Sequence, residues 1–270
     1  MLTLSFRHWA SAALLAGGLL GSLPTLADQP PPEAASGFAH ITAPTAFDHA
    51  MIVTANPLAS DAGAAILRQG GSAVDALIAA QWVLGLTEPQ SSGLGGGGFL
   101  LTHDGKRTLQ SWDGRETAPA AARGERFIGA DGKPLPFTQA VASGKAVGVP
   151  GLVAMLYAAH QQHGKLPWAA LAQPAIQLAE QGFAVSPRLY TLLVQETRLQ
   201  ADANARRYFF GEDGRPRPVG SLLRNPDGAR RFEWVERDGR QVLIQRSLTD
   251  PKLEWRVHLV KDSVDPASPD

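Results

Sequence analysis

The stretch SAVDALIAAQWVLGLTEP, residues 72–89, constrains the fold more than any other part of the chain. Ser72 followed by Asp75 is a capping arrangement that starts a helix, and beyond it apolar residues fall on nearly every face. Such a helix holds in water only when it is surrounded, so the chain must supply neighbours on several sides. The preceding NPLASDAGAAILRQGG supplies one: Asn56 can cap a helix with Pro57 in its first turn, and Leu58, Ala62, Ala65 and Ile66 recur at helical spacing until Gly70-Gly71 ends it. Further helices are expected from Leu152 and from Trp168, the second interrupted at Pro174, and together they read as one layer of a sandwich.

The buried helix runs into EPQSSGLGGGGF, residues 88–99, where Gly93, Gly95 and Gly98 satisfy the dinucleotide fingerprint G-x-G-x-x-G. The neighbours are in the wrong order for a phosphate cradle, which needs a strand before the glycines and a helix N-terminus after them. Here a helix precedes. Phe99 to His103 and Lys106 to Trp112 follow as strand-like runs joined by Asp104-Gly105, a two-residue hairpin signal. The glycines are therefore expected to bring backbone close to another segment or to a ligand.

Composition narrows the class. The 270 residues are 44% hydrophobic, enough for one large domain or two small ones. Lysine plus arginine equals aspartate plus glutamate at 25 each, so no basic field exists to hold nucleic acid or an anionic membrane. Arg7, an apolar run from Ala10 to Leu23, Pro24 and a small-residue site ending at Ala27 read as a signal peptide over 1–27, followed by a linker over 28–49. A periplasmic or secreted location is expected, with no membrane attachment after cleavage. The chain has no cysteine, hence no disulfide and no thiolate chemistry. His160 and His163 lie near a helix end closed by Gly164, with no third ligand close in sequence, and read as a solvated helix end. Ser91-Ser92 has no partner histidine at a recognisable spacing. No metal and no cofactor are implied.

Asp113, Arg115 and Glu116 sit together in SWDGRETAPAAA, just past the second expected strand. An arginine at a strand end, held by a neighbouring carboxylate, is placed to take a substrate carboxylate through two parallel N–H bonds, while on charge alone it reads as a solvated arginine.

Four ordered blocks now stand out: MIVTANPLASDAGAAILRQGGSAVDALIAAQWVLGLTEPQSSGLGGGGFLL, DGRETAPAAA, GVPGLVAMLYAAHQQHGKLPWAALAQPAIQLAEQGFAV and LLRNPDGAR. Over residues 50–230 the chain resembles the large-subunit part of the gamma-glutamyltransferases, also called gamma-glutamyltranspeptidases or glutathione hydrolases. The resemblance implies an α+β (α/β) fold, an αββα sandwich of the N-terminal nucleophile hydrolase type, incomplete in this chain. It also implies a precursor that cuts itself into two subunits, with a threonine freed at the start of the small subunit attacking the gamma-glutamyl amide. The glutamyl group then passes to water, an amino acid or a dipeptide. Arg115 matches the family's arginine that grips the glutamyl α-carboxylate.

The chain departs from the family beyond that point. The family's nucleophile lies in a threonine-rich motif, and none of Thr191, Thr197 or Thr249 has that motif around it. No catalytic residue is expected in these residues, and activity is expected to need a small subunit; a truncated remnant binding glutamyl compounds weakly is the alternative. Charged residues crowd the stretch after Arg224, and 231–270 reads as a divergent charged tail. Within it EWVERDGRQVLIQ predicts a hairpin around Asp238-Gly239.

Overall fold

The computed structural model describes residues 46–225 and, as backbone alone, the strands Phe232–Arg237, Arg240–Arg246 and Glu254–His258. The expected signal peptide and nearly all of the linker lie outside the described residues.

Helix α1, Pro57–Arg68, is capped by Asn56, whose side chain accepts from Leu58 N at 3.1 Å. Helix α2, Ala73–Thr87, starts with a full capping box: Ser72 Oγ accepts from Asp75 N at 3.0 Å and Asp75 Oδ2 accepts from Ser72 N at 2.8 Å. The expected stripe on α1 is corrected in detail. Ala59, Ala62, Gly63 and Ile66 are buried, whereas Leu58 and Ala65 are only partly covered. The reason is the closeness of the two helices: a Cβ on Gly63 would lie 3.0 Å from Ala76 O and would run into Ile52, so the seam takes the smallest residues. Across it stand Ala80 and Val83.

Helix α2 is the core element that its composition requires. Ile78, Ala79 and Val83 are fully buried, each large aliphatic side chain contributing about 1.5–3 kcal/mol relative to exposure. After a short helix α3, Phe137–Val141, the chain forms α4, Leu152–His163, then α5, Trp168–Leu171, and α6, Gln173–Gln181. The break between α5 and α6 falls at Ala172, with Pro174 in the first turn of α6, where its missing N–H leaves no bond unmade. Leu152, Met155, Leu156, Ala159 and Leu171 join Ile66, Ile78 and Leu100 in one core cluster. A second cluster, Phe183, Val185, Leu189, Leu193, Phe210 and Leu223, is gathered by α7, Pro187–Gln195, by the short helix α8, Ala203–Phe209, and by the short strands β3, Phe183–Ala184, and β4, Leu222–Leu223.

The hairpin consists of β1, Phe99–His103, and β2, Leu109–Asp113. Its turn corrects the expectation of a two-residue Asp104-Gly105 connection. His103 pairs with Leu109, which leaves residues 104–108 in the loop. The Asp104 carboxylate accepts from the amides of Lys106, Arg107 and Thr108 at 2.7, 3.0 and 3.1 Å, and Gly105 takes φ +77°. A side chain that satisfies three amides outcompetes the tighter turn. The consequence is register: Leu100 lies opposite Trp112 and both face the helices, while Phe99, Leu101 and Leu109 are exposed on the other face.

The histidines correct a second expectation. His160 is not solvated: its Nε2 lies 2.8 Å from Leu166 O and 3.6 Å from Asp75 Oδ1, and its ring packs edgewise on Trp168 at 5.1 Å. His163 Nε2 lies 2.7 Å from Gln110 Oε1, which ties α4 to the hairpin. The chain turns at Gly164 and folds back over the helix end, and that return could not be read from helical spacing. Asp75 completes the strut, since its buried Oδ2 also accepts from Lys165 N at 2.9 Å and Leu166 N at 3.2 Å.

Near the C-terminus β5, Phe232–Arg237, pairs antiparallel with β6, Arg240–Arg246, which pairs with β7, Glu254–His258. Arg237 stands opposite Arg240, as expected for a hairpin around Asp238-Gly239, although those two residues themselves lie outside the described set.

Two outcomes follow from these contacts. Asp75→Asn keeps the shape but removes the charge that holds three amides, and is expected to lower stability by about 2 kcal/mol, read as a lower urea midpoint; an unchanged midpoint contradicts the strut. The backbone bonds from Lys106 and Thr108 hold the Asp104 carboxyl down at about 2, against the ordinary 3.8. Because the folded value is depressed, the turn's contribution to stability is fully present above pH 3.8 and is lost as pH falls through about 2. A carboxyl NMR titration of Asp104 with a midpoint at the ordinary value would show that the turn is not held this way.

Candidate functional site

The pairing of Phe99 with Asp113 returns the far end of β2 to the start of β1, beside the glycine loop. Gly98 and Gly114 exchange N–H···O bonds of 3.1 and 2.9 Å, which extends the hairpin by one residue pair. Leu152 N donates to Gly96 O at 3.2 Å, and Thr117 and Val149 exchange bonds of 3.1 and 2.8 Å. Three segments, 96–98, 114–117 and 148–152, are thereby laced together backbone to backbone.

Such lacing requires glycine, and the structure shows at which positions. A Cβ on Gly97 would lie 2.8 Å from Arg115 Cα; one on Gly114 would lie 2.6 Å from Met155 Cβ; one on Gly151 would lie 2.6 Å from the carbonyl oxygens of Arg115 and Gly114. Gly93 and Gly95, two of the three fingerprint positions, have open space, and Gly98 makes only an ordinary contact with Leu152. The expected close approach is real, but it falls on Gly97 and on partners in two other segments. A helix precedes the loop and a strand follows it, the opposite order to a phosphate cradle.

Above this stack lies a cavity of about 540 Å3. Leu77 from α2, Leu100 from β1 and Leu152, Met155 and Leu156 from α4 form its apolar side. Gln81, Gln90, Ser91, Ser92, Arg115 and Glu116 form its polar side. Arg115 stands at the mouth with its side chain 58% exposed. Its backbone N–H donates to Asp113 Oδ1 at 2.9 Å, its Nε lies 3.3 Å from Glu116 Oε2, and its guanidinium sits over the Phe99 ring at 5.9 Å from the centroid. Glu116 thus engages the Nε edge and Phe99 lies against the guanidinium. The geometry suits a planar anion such as a carboxylate.

The other residues singled out from sequence do not assemble into chemistry. Ser91 and Ser92 line the cavity, but neither His160 nor His163 does. Thr191 Oγ1 donates to Pro187 O at 2.9 Å within α7, Thr197 precedes a short turn at Arg198–Ala201, and neither lines the cavity; Thr249 lies outside the described residues. Among the described residues no group of three or more His, Asp or Glu could hold a metal ion, and no helix is long and apolar enough to cross a membrane. Sequence reading missed Gln81, Gln90 and the Leu77, Leu152, Met155 and Leu156 wall. The signal was present, because Leu152, Met155 and Leu156 share one helix face, as do Leu77 and Gln81.

This fold, a helical layer on a hairpin whose strand end carries Arg115 beside a glycine loop, is that of an N-terminal nucleophile hydrolase. The crystal structure of Helicobacter pylori gamma-glutamyltranspeptidase matches with a TM-score of 0.65 and 31% identity, over 70% of this chain and 54% of that one. The enzyme from Pseudomonas nitroreducens, solved in complex with L-DON, matches with a TM-score of 0.61 and 32% identity, over 68% of this chain and 53% of that one. The sequence model of the gamma-glutamyltranspeptidase family matches residues 59–251, running past Arg230 into the charged stretch. The glutathione hydrolase proenzyme of Bacillus subtilis strain 168 is 38% identical over 190 residues, which are 70% of this chain and 32% of that protein. The chain belongs to the gamma-glutamyltranspeptidase family and spans about a third of the length of the curated relatives it matches.

The glycine stack generates a contrast between two substitutions. Gly151→Ala must push backbone aside and is expected to cost about 1–3 kcal/mol, whereas Gly95→Ala meets nothing within 4 Å and is expected to be tolerated. Parallel urea melts of the two variants check this, and equal midpoints would show that the lacing is not tight.

Proposed function

We propose that this chain is the large-subunit-like part of a gamma-glutamyltransferase or glutathione hydrolase, exported after removal of residues 1–27. It holds the gamma-glutamyl group of glutathione or a related amide, and the threonine nucleophile is supplied by a small-subunit portion outside these 270 residues. The observation that carries the reading is Arg115: a cation at the mouth of the cavity, its Nε engaged by Glu116 and its guanidinium over Phe99. The resemblance to the family matches this arginine to the one that grips the glutamyl α-carboxylate, and the names of the relatives support the substrate class.

The division of labour follows from the chemistry. Arg115 fixes the α-carboxylate and so places the gamma-carbonyl at a set distance from the clamp, with the apolar wall excluding water from one side. Attack on that carbonyl needs a threonine hydroxyl with a free amine as its base, and the resulting oxyanion needs donors aimed at it. Gripping the ground state alone does not accelerate the step. The purified chain is therefore expected to bind glutathione and to leave a chromogenic gamma-glutamyl anilide intact, with turnover appearing only when a family small subunit is added. Turnover that follows the chain alone through purification overturns this division.

Arg115→Met is expected to weaken glutathione binding by about 2 kcal/mol, the low end for a charged bidentate contact because the side chain is more than half exposed. Calorimetric titration reads the loss, and a glutathione analogue without the α-carboxylate is expected to bind both proteins equally poorly. Equal affinity of the two proteins for glutathione removes Arg115 from the site. The exported chain is expected to begin at Asp28, which intact mass measurement of secreted protein checks.

A further inference from the structure

Glu88 is the most deeply buried acid beside the cavity, 1% exposed, and it sits at the C-cap of α2. A carboxylate there faces the negative end of the helix dipole, so its charge needs a partner from elsewhere. That partner is Arg188 at the start of α7, whose Nη1 lies 2.6 Å from Glu88 Oε2. Gln90 Nε2 donates to the same oxygen at 2.6 Å, and Asn56 Nδ2, from the cap of α1, donates to Oε1 at 2.9 Å. The backbone of Glu88 acts in the same direction: its carbonyl accepts from Ser91 N at 3.1 Å and Ser92 N at 3.0 Å. Arg188 Nη1 also reaches Ser91 Oγ at 3.5 Å.

Gln90, Ser91 and Ser92 form the part of the cavity's polar wall that leads into the glycine loop. We propose that the Glu88–Arg188 pair is a positioning element that fixes this wall, and thereby sets ligand affinity at the Arg115 cavity without touching the ligand. Helices α1 and α2 do not depend on the pair for their own packing, because Ala59, Ala62, Ala80 and Val83 close their seam. Arg188 belongs instead to the helix that carries Leu189 and Leu193 of the second cluster, so the pair couples that cluster to the cavity wall. The wall-fixing part stands on the contacts alone; the affinity part rests on the glutathione reading above.

The test combines amide hydrogen exchange with glutathione titration on the full chain. In Arg188→Met the amides of Ser91 and Ser92 are expected to exchange about ten- to a hundredfold faster, the loss of one charge-assisted bond, while those of Ile78 and Leu156 keep their wild-type rates. Glu88→Gln, which keeps the shape and loses the charge, is expected to move the same amides in the same direction, and Arg188→Lys to restore most of the protection. The dissociation constant for glutathione is expected to rise about tenfold in Arg188→Met. Should Arg188→Met not fold, Glu88→Gln combined with Arg188→Gln, neutral on both sides, gives the same readout. Unchanged exchange at Ser91 and Ser92, or exchange that rises equally at Ile78 and Leu156, overturns the positioning role. If the exchange pattern holds and wild-type chain shows no glutathione binding, the substrate reading fails and the positioning of the wall stands.

Discussion

The site depends on the close stacking of three backbones. Residues 96–98, 114–117 and 148–152 approach so tightly that Gly97, Gly114 and Gly151 cannot carry a Cβ. Hydrogen bonds can lace such segments together only if no side chain intervenes, and glycine gives up conformational entropy to make that possible. Arg115 follows directly from the stack. It is one residue past Gly114, its own carbonyl lies against Gly151, and its neighbour Glu116 lies against Gly97. Its side chain therefore leaves a backbone that has little room to move, the condition that the proposed anion grip requires.

Helix α2 organises the rest from its two ends. At the N-terminus Asp75 belongs to the capping box, where a negative charge agrees with the helix dipole, and its second role is to hold the turn at Lys165-Leu166. At the C-terminus Glu88 opposes the dipole and draws in Arg188, Gln90 and Asn56. Each end thus uses a buried carboxylate to capture segments that are remote in sequence. Between them Ile78, Ala79 and Val83 bury the helix against α1 and α4. The cavity lies where this helix, the hairpin and α4 meet.

The hairpin register matters for the same reason. A two-residue turn at Asp104-Gly105 would have paired different residues and turned Leu100 and Trp112 to opposite faces. The Asp104 carboxylate, by satisfying three amides, selects the longer loop and so places both against the helices. On the opposite face Phe99, Leu101 and Leu109 are exposed.

Much of this was written locally. The caps at Asn56 and Ser72, the burial of α2, the break before Pro174, the hairpin after the glycines and Arg115 beside two acids all follow from short-range chemistry, because a cap, a helical period or a turn involves residues a few positions apart. The family itself was legible in four ordered blocks. The tertiary structure alone decided which glycines are tight, that His160 and His163 are struts and not a solvated end, and that Glu88 meets Arg188. Those contacts join segments separated by tens of residues, and no periodicity records them: they exist only once the helices have packed and the chain has folded back on itself.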